Sequence, residues 1–168
     1  MKAIVSGGGT GGHIYPALAI AGQLRAEGAD ILYMGAKASV EAKLAETSGF
    51  AFLGVDARGL HKKSPRLAYD LAVNYRGLRQ ARAIVRREAP DLVIGTGGFA
   101  QAAVVMAAQQ LGIPTLLHEQ NAFPGLANRM LARRADAVCL TFAEAGEFFP
   151  HAERLHLTGL PIRESILK

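Results

Sequence analysis

The stretch Gly7-Gly8-Gly9-Thr10-Gly11-Gly12-His13 lies between a short apolar run, Ala3-Ile4-Val5, and a helix-like run that begins at Tyr15. That order predicts a strand, a glycine turn and a helix. Glycine tolerates positive φ and lets a ligand approach the main chain, while the free N–H groups at a helix start favour an anion. The stretch therefore reads as a seat for phosphate. It also satisfies G-x-G-x-x-G through Gly7, Gly9 and Gly12, a pattern shared by many nucleotide folds and by plain tight turns.

Short apolar runs alternate with helix-like segments along the whole chain, which predicts a Rossmann-like, doubly wound parallel sheet with helices on both faces. Strands are expected at Lys2–Ser6, Ile31–Met34, Phe50–Val55, Asp91–Ile94, Pro114–Leu117, Ala137–Leu140 and Leu155–Thr158. Between them, helices are expected from Tyr15 to Glu27 with Pro16 in the first turn, from Ser39 to Ser48, from Pro65 to Glu88 and from Leu126 to Arg134. In the long third helix, Leu67, Leu71, Leu78, Ile84 and Val85 recur at near-helical spacing, with Arg76, Arg79, Arg82 and Arg86 roughly opposite. These residues predict a core stripe with a solvated basic back; the alternative is a surface for membrane or an acidic ligand.

After the fourth strand stands Gly95-Thr96-Gly97-Gly98, again opening a helix, so the first glycine stretch has an internal echo. The first and fourth strands of a doubly wound sheet commonly lie side by side where the strand order reverses, and ligands bind beyond the strand ends there. Two glycine stretches facing one crevice predict a ligand with two phosphates or two anionic parts.

With 168 residues and 50% hydrophobic composition, the chain can bury a substantial core as one domain. Its net charge of +5 points to an anionic partner, whether phosphate, nucleic acid or an acidic membrane face. Cys139 is the only cysteine and reads as a small core hydrophobe, so neither an internal disulfide nor a cysteine-based metal cluster is expected. No apolar run is long enough to cross a bilayer, and a cytoplasmic location is the expectation.

A dinucleotide fold carries an acid at the end of its second strand, about 20 residues past the last glycine, to hold the ribose. Here that strand ends Tyr33-Met34-Gly35-Ala36-Lys37, with no acid in place, although Lys37 leaves an NADP reader open. Gly12-His13-Ile14 stands where a P-loop would end in Gly-Lys-Ser/Thr, which argues against ATP hydrolysis. His13 is instead a candidate general base for a sugar hydroxyl, or else a capping residue. His118, Glu119 and Asn121 cluster at another strand end. Glu119 reads as an acceptor for sugar hydroxyls or an anchor for a neighbouring loop.

Four separated motifs, in order, closely resemble the MurG family of peptidoglycan glycosyltransferases. They are Gly8-Gly9-Thr10-Gly11-Gly12-His13 with Tyr15-Pro16-Ala17; Gly95-Thr96-Gly97-Gly98; His118-Glu119-Gln120-Asn121 with Pro124-Gly125; and Thr158-Gly159 with Pro161-Ile162-Arg163. The resemblance implies the N-terminal half of a GT-B fold. Residues 1–163 would be an acceptor-binding domain, and 164–168 the start of a linker toward a C-terminal, donor-binding domain. It implies inverting transfer of N-acetylglucosamine from UDP-GlcNAc to lipid I, giving lipid II, with no metal and no cofactor. The isolated half is expected to be inactive.

By motif position the resemblance makes His13 the candidate base and assigns Thr10, Gly11, Gly12, Asn121 and Arg163 to the donor. Gly9, Thr10, Gly95, Thr96, Gly97 and Gly98 would hold the acceptor diphosphate, with His118 and Glu119 supporting sugar or loop. Leu60, Lys62, Lys63, Leu67, Tyr75 and Arg79 become candidates to face the inner surface of the cell membrane, where the protein would sit peripherally. The implied partners are UDP-GlcNAc, lipid I, an anionic membrane and the C-terminal domain, with no nucleic acid. Phe99 stands where the family usually has Tyr, Gln101 where it has Ser, and Leu160 where it has Asn. A non-catalytic module that recruits a lipid-linked or membrane partner to a separate glycosyltransferase subunit is the alternative.

Overall fold

Successive side chains of a strand point to opposite faces of its sheet, and in β1 (Lys2–Gly7) both faces are covered: Ala3, Ile4 and Val5 are all fully buried. The computed structural model describes residues 1–60 and 65–162. The other strands are β2 (Asp30–Ala36), β3 (Ala51–Val55), β4 (Leu92–Gly97), β5 (Thr115–Glu119), β6 (Ala137–Leu140) and β7 (Leu155–Leu157). They form one all-parallel sheet in the order β3-β2-β1-β4-β5-β6-β7. The strand order reverses between β1 and β4, so the two glycine stretches leave the sheet side by side.

Helices α1 (Gly11–Ala26) and α2 (Val40–Thr47) cover one face, where Ala17, Leu18, Ala21 and Ala45 pack with Ala3 and Val5. On the other face α3 (Leu67–Glu88), α4 (Phe99–Gln110) and α5 (Leu126–Leu131) pack over Ile4, Val93 and Leu117. Burying each such Ile, Val or Leu contributes roughly 1.5–3 kcal/mol, so the two layers together hold the strand ends that carry the glycines. Two short 3-10 turns, Ala143–Phe148 and Ala152–Arg154, lead into β7.

The fold is the doubly wound sheet expected, with three local corrections. Helix α1 begins at Gly11 rather than Tyr15, because the extended Thr10 ends the turn and Gly11, Gly12 and His13 already form the first helical turn. Pro16 consequently lies in the second turn, where it denies the Gly12 carbonyl its helical partner. The second glycine stretch is strand rather than loop as far as Gly97: main-chain pairing continues from Ser6 with Gly95 to Gly7 with Gly97, across a register shift. Weak strand propensity makes glycine read as loop even where a neighbouring strand holds it. Strand β5 likewise extends to Glu119, bringing His118 and Glu119 into the sheet.

The third correction concerns α3. Its buried stripe is Asp70, Val73, Gly77, Ala81 and Val85, whereas Leu71 is 51% exposed and Tyr75 64%. Of the apolar stripe that periodicity predicts, Val85 is buried and Leu78 and Ile84 pack against the core, but Leu71 turns outward, and the small Gly77 and Ala81 fill the innermost line. At the end of β3, the Asp56 carboxylate accepts from Lys37 Nζ at 3.1 Å and Gln80 Nε2 at 2.9 Å, and pairs with Arg76. Lys37 above all, then Arg76 and Gln80, holds this carboxyl below the ordinary carboxylate value. Cys139 is only partly buried, and that burial pushes its thiol up, toward the unreactive form.

Candidate active site

Two cavities flank the first turn of α1. One, of about 280 Å³, is lined by Gly9, Thr10 and His13 from the first glycine stretch, Gly97 and Gly98 from the second, and Leu126 opposite. The other, of about 490 Å³, is lined by Gly11, Gly12 and Tyr15 on one side and by Gln120, Leu160 and Pro161 on the other. The first glycine stretch is thus divided between two neighbouring spaces. A larger groove of about 720 Å³ runs along the outer face of α1 past Gly22 and Arg25, and shares no lining residue with the glycine cavity.

The cavity floor is built from main chain. The Gly8 amide donates to the Gly97 carbonyl at 3.1 Å, joining the two stretches directly. Beneath them, the buried Tyr33 hydroxyl donates to the Gly7 carbonyl at 2.6 Å. Burial, reinforced by the negative charge of Glu41, pushes that phenol far above its ordinary value, so it remains a donor. The Glu41 carboxylate, 3% exposed, accepts from the amides of Gly9 at 3.4 Å and Ala36 at 3.2 Å and pins the turn from the side. Sequence reading missed Glu41: it follows the N-cap Ser39 by two residues, and no motif marks it.

His13 sits in the third position of α1, half-buried, with Nδ1 3.2 Å from Thr10 Oγ1. Its Nε2 has no hydrogen-bond partner among the described residues. The N-termini of α1 and α4 both open on this side, where unpaired amides favour an anion.

Glu119 closes the opposite wall, 1% exposed. Oε1 accepts from Asn121 N and Nδ2, both at 3.0 Å, while Oε2 accepts from Asn128 Nδ2 at 2.9 Å and Gly125 N at 3.3 Å. Of the roles read from sequence, this geometry gives Glu119 the loop anchor. His118 lies behind it, where Nε2 is 3.0 Å from the Gly159 carbonyl and Nδ1 is 3.0 Å from Gln120 Nε2. The ring is therefore neutral, with Nε2–H donating and Nδ1 accepting, and burial holds it below its ordinary value.

Gly9, Thr10, His13, Gly97, Gly98 and Glu119 share one cavity, while Gly11 and Gly12 border the second. Gly95 and Thr96 reach neither: both are buried, and the Thr96 hydroxyl donates to the His13 carbonyl. Gln101 fills the space beside Gly95, with its amide buried and unpartnered among the described residues, so it offers no contact to the cavity in place of a serine. Asn121 is exposed, with its donors committed to Glu119. Leu60, Leu67, Tyr75 and Arg79 lie on α3 and the segment before it and line neither cavity. Lys62, Lys63, Arg163 and the linker expected at 164–168 fall outside the described residues.

Residues 3–140 match the family model of the glycosyltransferase family 28 N-terminal domain. A curated relative from Desulforamulus reducens is 47% identical over all of this chain and 46% of its own length. It is named UDP-N-acetylglucosamine--N-acetylmuramyl-(pentapeptide) pyrophosphoryl-undecaprenol N-acetylglucosamine transferase. A relative of the same name from Halothermothrix orenii is 46% identical over 99% of this chain and 46% of its own length. The chain spans about half the length of these relatives. Among solved structures, Acinetobacter baumannii MurG superimposes with a TM-score of 0.82 at 30% identity, over 94% of this chain and 45% of that one. A UDP-N-acetylglucosamine 2-epimerase at 12% identity and TM-score 0.72, covering 95% of this chain and 48% of that one, shares the fold.

Proposed function

The chain belongs to the glycosyltransferase family 28 N-terminal domains, and from that premise we propose that it is the acceptor-binding half of a GT-B enzyme transferring N-acetylglucosamine from UDP-GlcNAc to lipid I. One observation carries the reading: the first turn of α1 serves two cavities, His13 lining the one built from two glycine stretches and two helix N-termini, and Gly11 and Gly12 lining the other, which is open toward Leu160 and Pro161 near the end of the described chain. The glycine cavity suits a lipid-linked diphosphate, because main-chain amides at helix starts bind anions without side-chain charge. Gly97 and Gly98 serve it from the second stretch. The second cavity, past Gly11 and Gly12, is the donor side, which a C-terminal domain would complete.

In the proposed reaction the His13 ring accepts the proton of the acceptor hydroxyl through Nε2, and the hydroxyl oxygen bonds to the anomeric carbon of the donor sugar. The bond to UDP breaks on the opposite face, which inverts the configuration. Thr10, through its contact with Nδ1, orients the ring. Neither metal nor cofactor is part of this proposal, so turnover would be insensitive to chelators.

Joining the chain to the second half that its relatives carry, and following transfer of labelled sugar to a lipid I analogue, tests the reading. Transfer by the joined protein and none by the 168-residue chain alone is expected. A folded joined protein without turnover refutes it.

Membrane association on the cytoplasmic side belongs to the same proposal. No helix among the described residues is long and apolar enough to cross a membrane. Its support is the outer line of α3, where the exposed Leu71 and Tyr75 continue into Arg79, Arg82 and Arg86 at helical spacing, with Leu60 also exposed nearby in sequence. An apolar patch bordered by arginines suits the interface of an anionic bilayer.

A further inference from the structure

Thr96 looks, by its place in the second glycine stretch, like a phosphate ligand, yet it is fully buried and its hydroxyl donates to the His13 carbonyl at 2.7 Å. A hydroxyl has one proton to give, and this one is spent across the sheet on the first turn of α1. The next residue acts on the other end of His13. A Cβ placed on Gly97 would stand 2.4 Å from His13 Cδ2 and 2.7 Å from Nε2, so the imidazole occupies the space that any side chain there would need. Gly97 also has φ of 123°, outside what L side chains readily adopt.

We infer that Thr96 and Gly97 are positioning residues that act through His13, Thr96 fixing its main chain and Gly97 providing the surface on which its ring rests. The inference rests on the reading of His13 as the base. Three contacts from two directions then define the ring: Thr96 on the carbonyl, Thr10 on Nδ1 and Gly97 beneath Cδ2 and Nε2. The helix start alone does not set this orientation, because Gly11 and Gly12 leave the turn few side chains with which to brace itself. Strand β4 supplies the brace. The two stretches are alike in sequence but divide the work, since the first carries the reacting group and the buried part of the second holds it in place.

Thr96→Val removes the hydroxyl and keeps the shape, Thr96→Ser keeps the hydroxyl, and Gly97→Ala pushes on the ring. All three are measured in the chain joined to its second half. A misplacement of about 1 Å costs on the order of 10²-fold in rate, so Thr96→Val is expected to lower kcat about 10- to 100-fold. KM for donor and acceptor stays as in the parent protein, and Thr96→Ser restores turnover. In histidine-labelled protein, the NOE between His13 Hδ2 and Gly97 Hα, expected in the parent, is lost in Thr96→Val. An unchanged kcat, a rise confined to acceptor KM, a loss that serine does not restore, or an unaltered NOE each overturns the inference. Gly97→Ala, if folded, reproduces the kcat loss; if it does not fold, Thr96→Val alone decides. Full turnover by His13→Ala would remove the base reading, while the NOE would still decide whether Thr96 places the ring.

Discussion

The carboxylate of Glu119 accepts from both nitrogens of Asn121, main chain and side chain, each at 3.0 Å. With Gly125 N and Asn128 Nδ2 on its second oxygen, one buried anion organises the whole loop that faces the glycine cavity. Glu119→Gln puts an NH₂ group against donors, and Glu119→Ala leaves them without an acceptor. The partners of Glu119 are neutral amides, and leaving a buried donor without its acceptor costs about 1–3 kcal/mol, so Glu119→Ala should lower stability by about that much. Urea unfolding measures it. A loss below about 1 kcal/mol, the scale of a single ordinary hydrogen bond, would mean that water replaces the carboxylate.

Glu41 does the corresponding work on the first stretch. Glu41→Ala frees the amides of Gly9 and Ala36, and Gly9 hydrogen exchange should accelerate while the core amides of β1 keep their protection. Gly9 is exposed and Ala36 half-buried, so water can reach the freed amides and the expected loss of stability is that of an ordinary hydrogen bond, about 1 kcal/mol. An unchanged Gly9 exchange rate would show that the turn holds its shape without the carboxylate.

Stability should depend on pH through His118. Burial holds the folded-state ring below its ordinary value of 6.5, with the Gly159 carbonyl and Glu119 partly opposing. Below that value the unfolded chain takes up the proton more readily than the folded one. The contribution is therefore complete above 6.5 and is lost as pH falls toward the folded-state value. Urea midpoints measured from about pH 7.5 down to about pH 5.5 should fall, and His118→Gln should flatten that slope.

His13→Ala in the joined protein should lower kcat by about 10²- to 10⁴-fold, the usual contribution of a general base. A loss under about tenfold would make His13 a capping residue and move the base elsewhere.

On α3, Arg79→Glu and the pair Leu71→Ser with Tyr75→Ser should weaken binding to phosphatidylglycerol vesicles. Each basic residue near an anionic surface contributes about 1 kcal/mol, so the charge reversal should cost at least about fivefold in affinity. The positions are exposed, and stability should change by no more than about 0.5 kcal/mol. Binding that ignores both the substitutions and added salt would place the contact on another face.

The alternation of apolar runs with helices made the strand order around β1 and β4 readable, because burial on both faces leaves near-continuous runs such as Ala3-Ile4-Val5. Motif spacing brought out the cavity residues Gly9, Thr10, His13, Gly97 and Gly98. What pattern could not reach were roles set by where one hydroxyl or carboxylate points. Thr96 and Thr10 occupy equivalent places in two similar stretches, yet the first is buried on strand β4 and the second exposed at a helix cap. Glu41 gives no period and no motif, since its partners are main-chain amides 5 and 32 residues away. On α3, Leu78 and Ile84 do pack against the core, but Leu71 only imitates that stripe; the fully inward side is set by the small Gly77 and Ala81, which let the helix approach the sheet.

The 3.1 Å bond from Gly8 to Gly97 joins the ends of the two central strands, so the floor of the glycine cavity cannot widen without breaking the sheet at its middle. A diphosphate arriving there meets a rigid mould of fixed width, and the floor loses no freedom on binding. Any gating in the proposed joined enzyme would then come from motions above the mould rather than within it, and calorimetry of a soluble diphosphate should register a small ordering entropy.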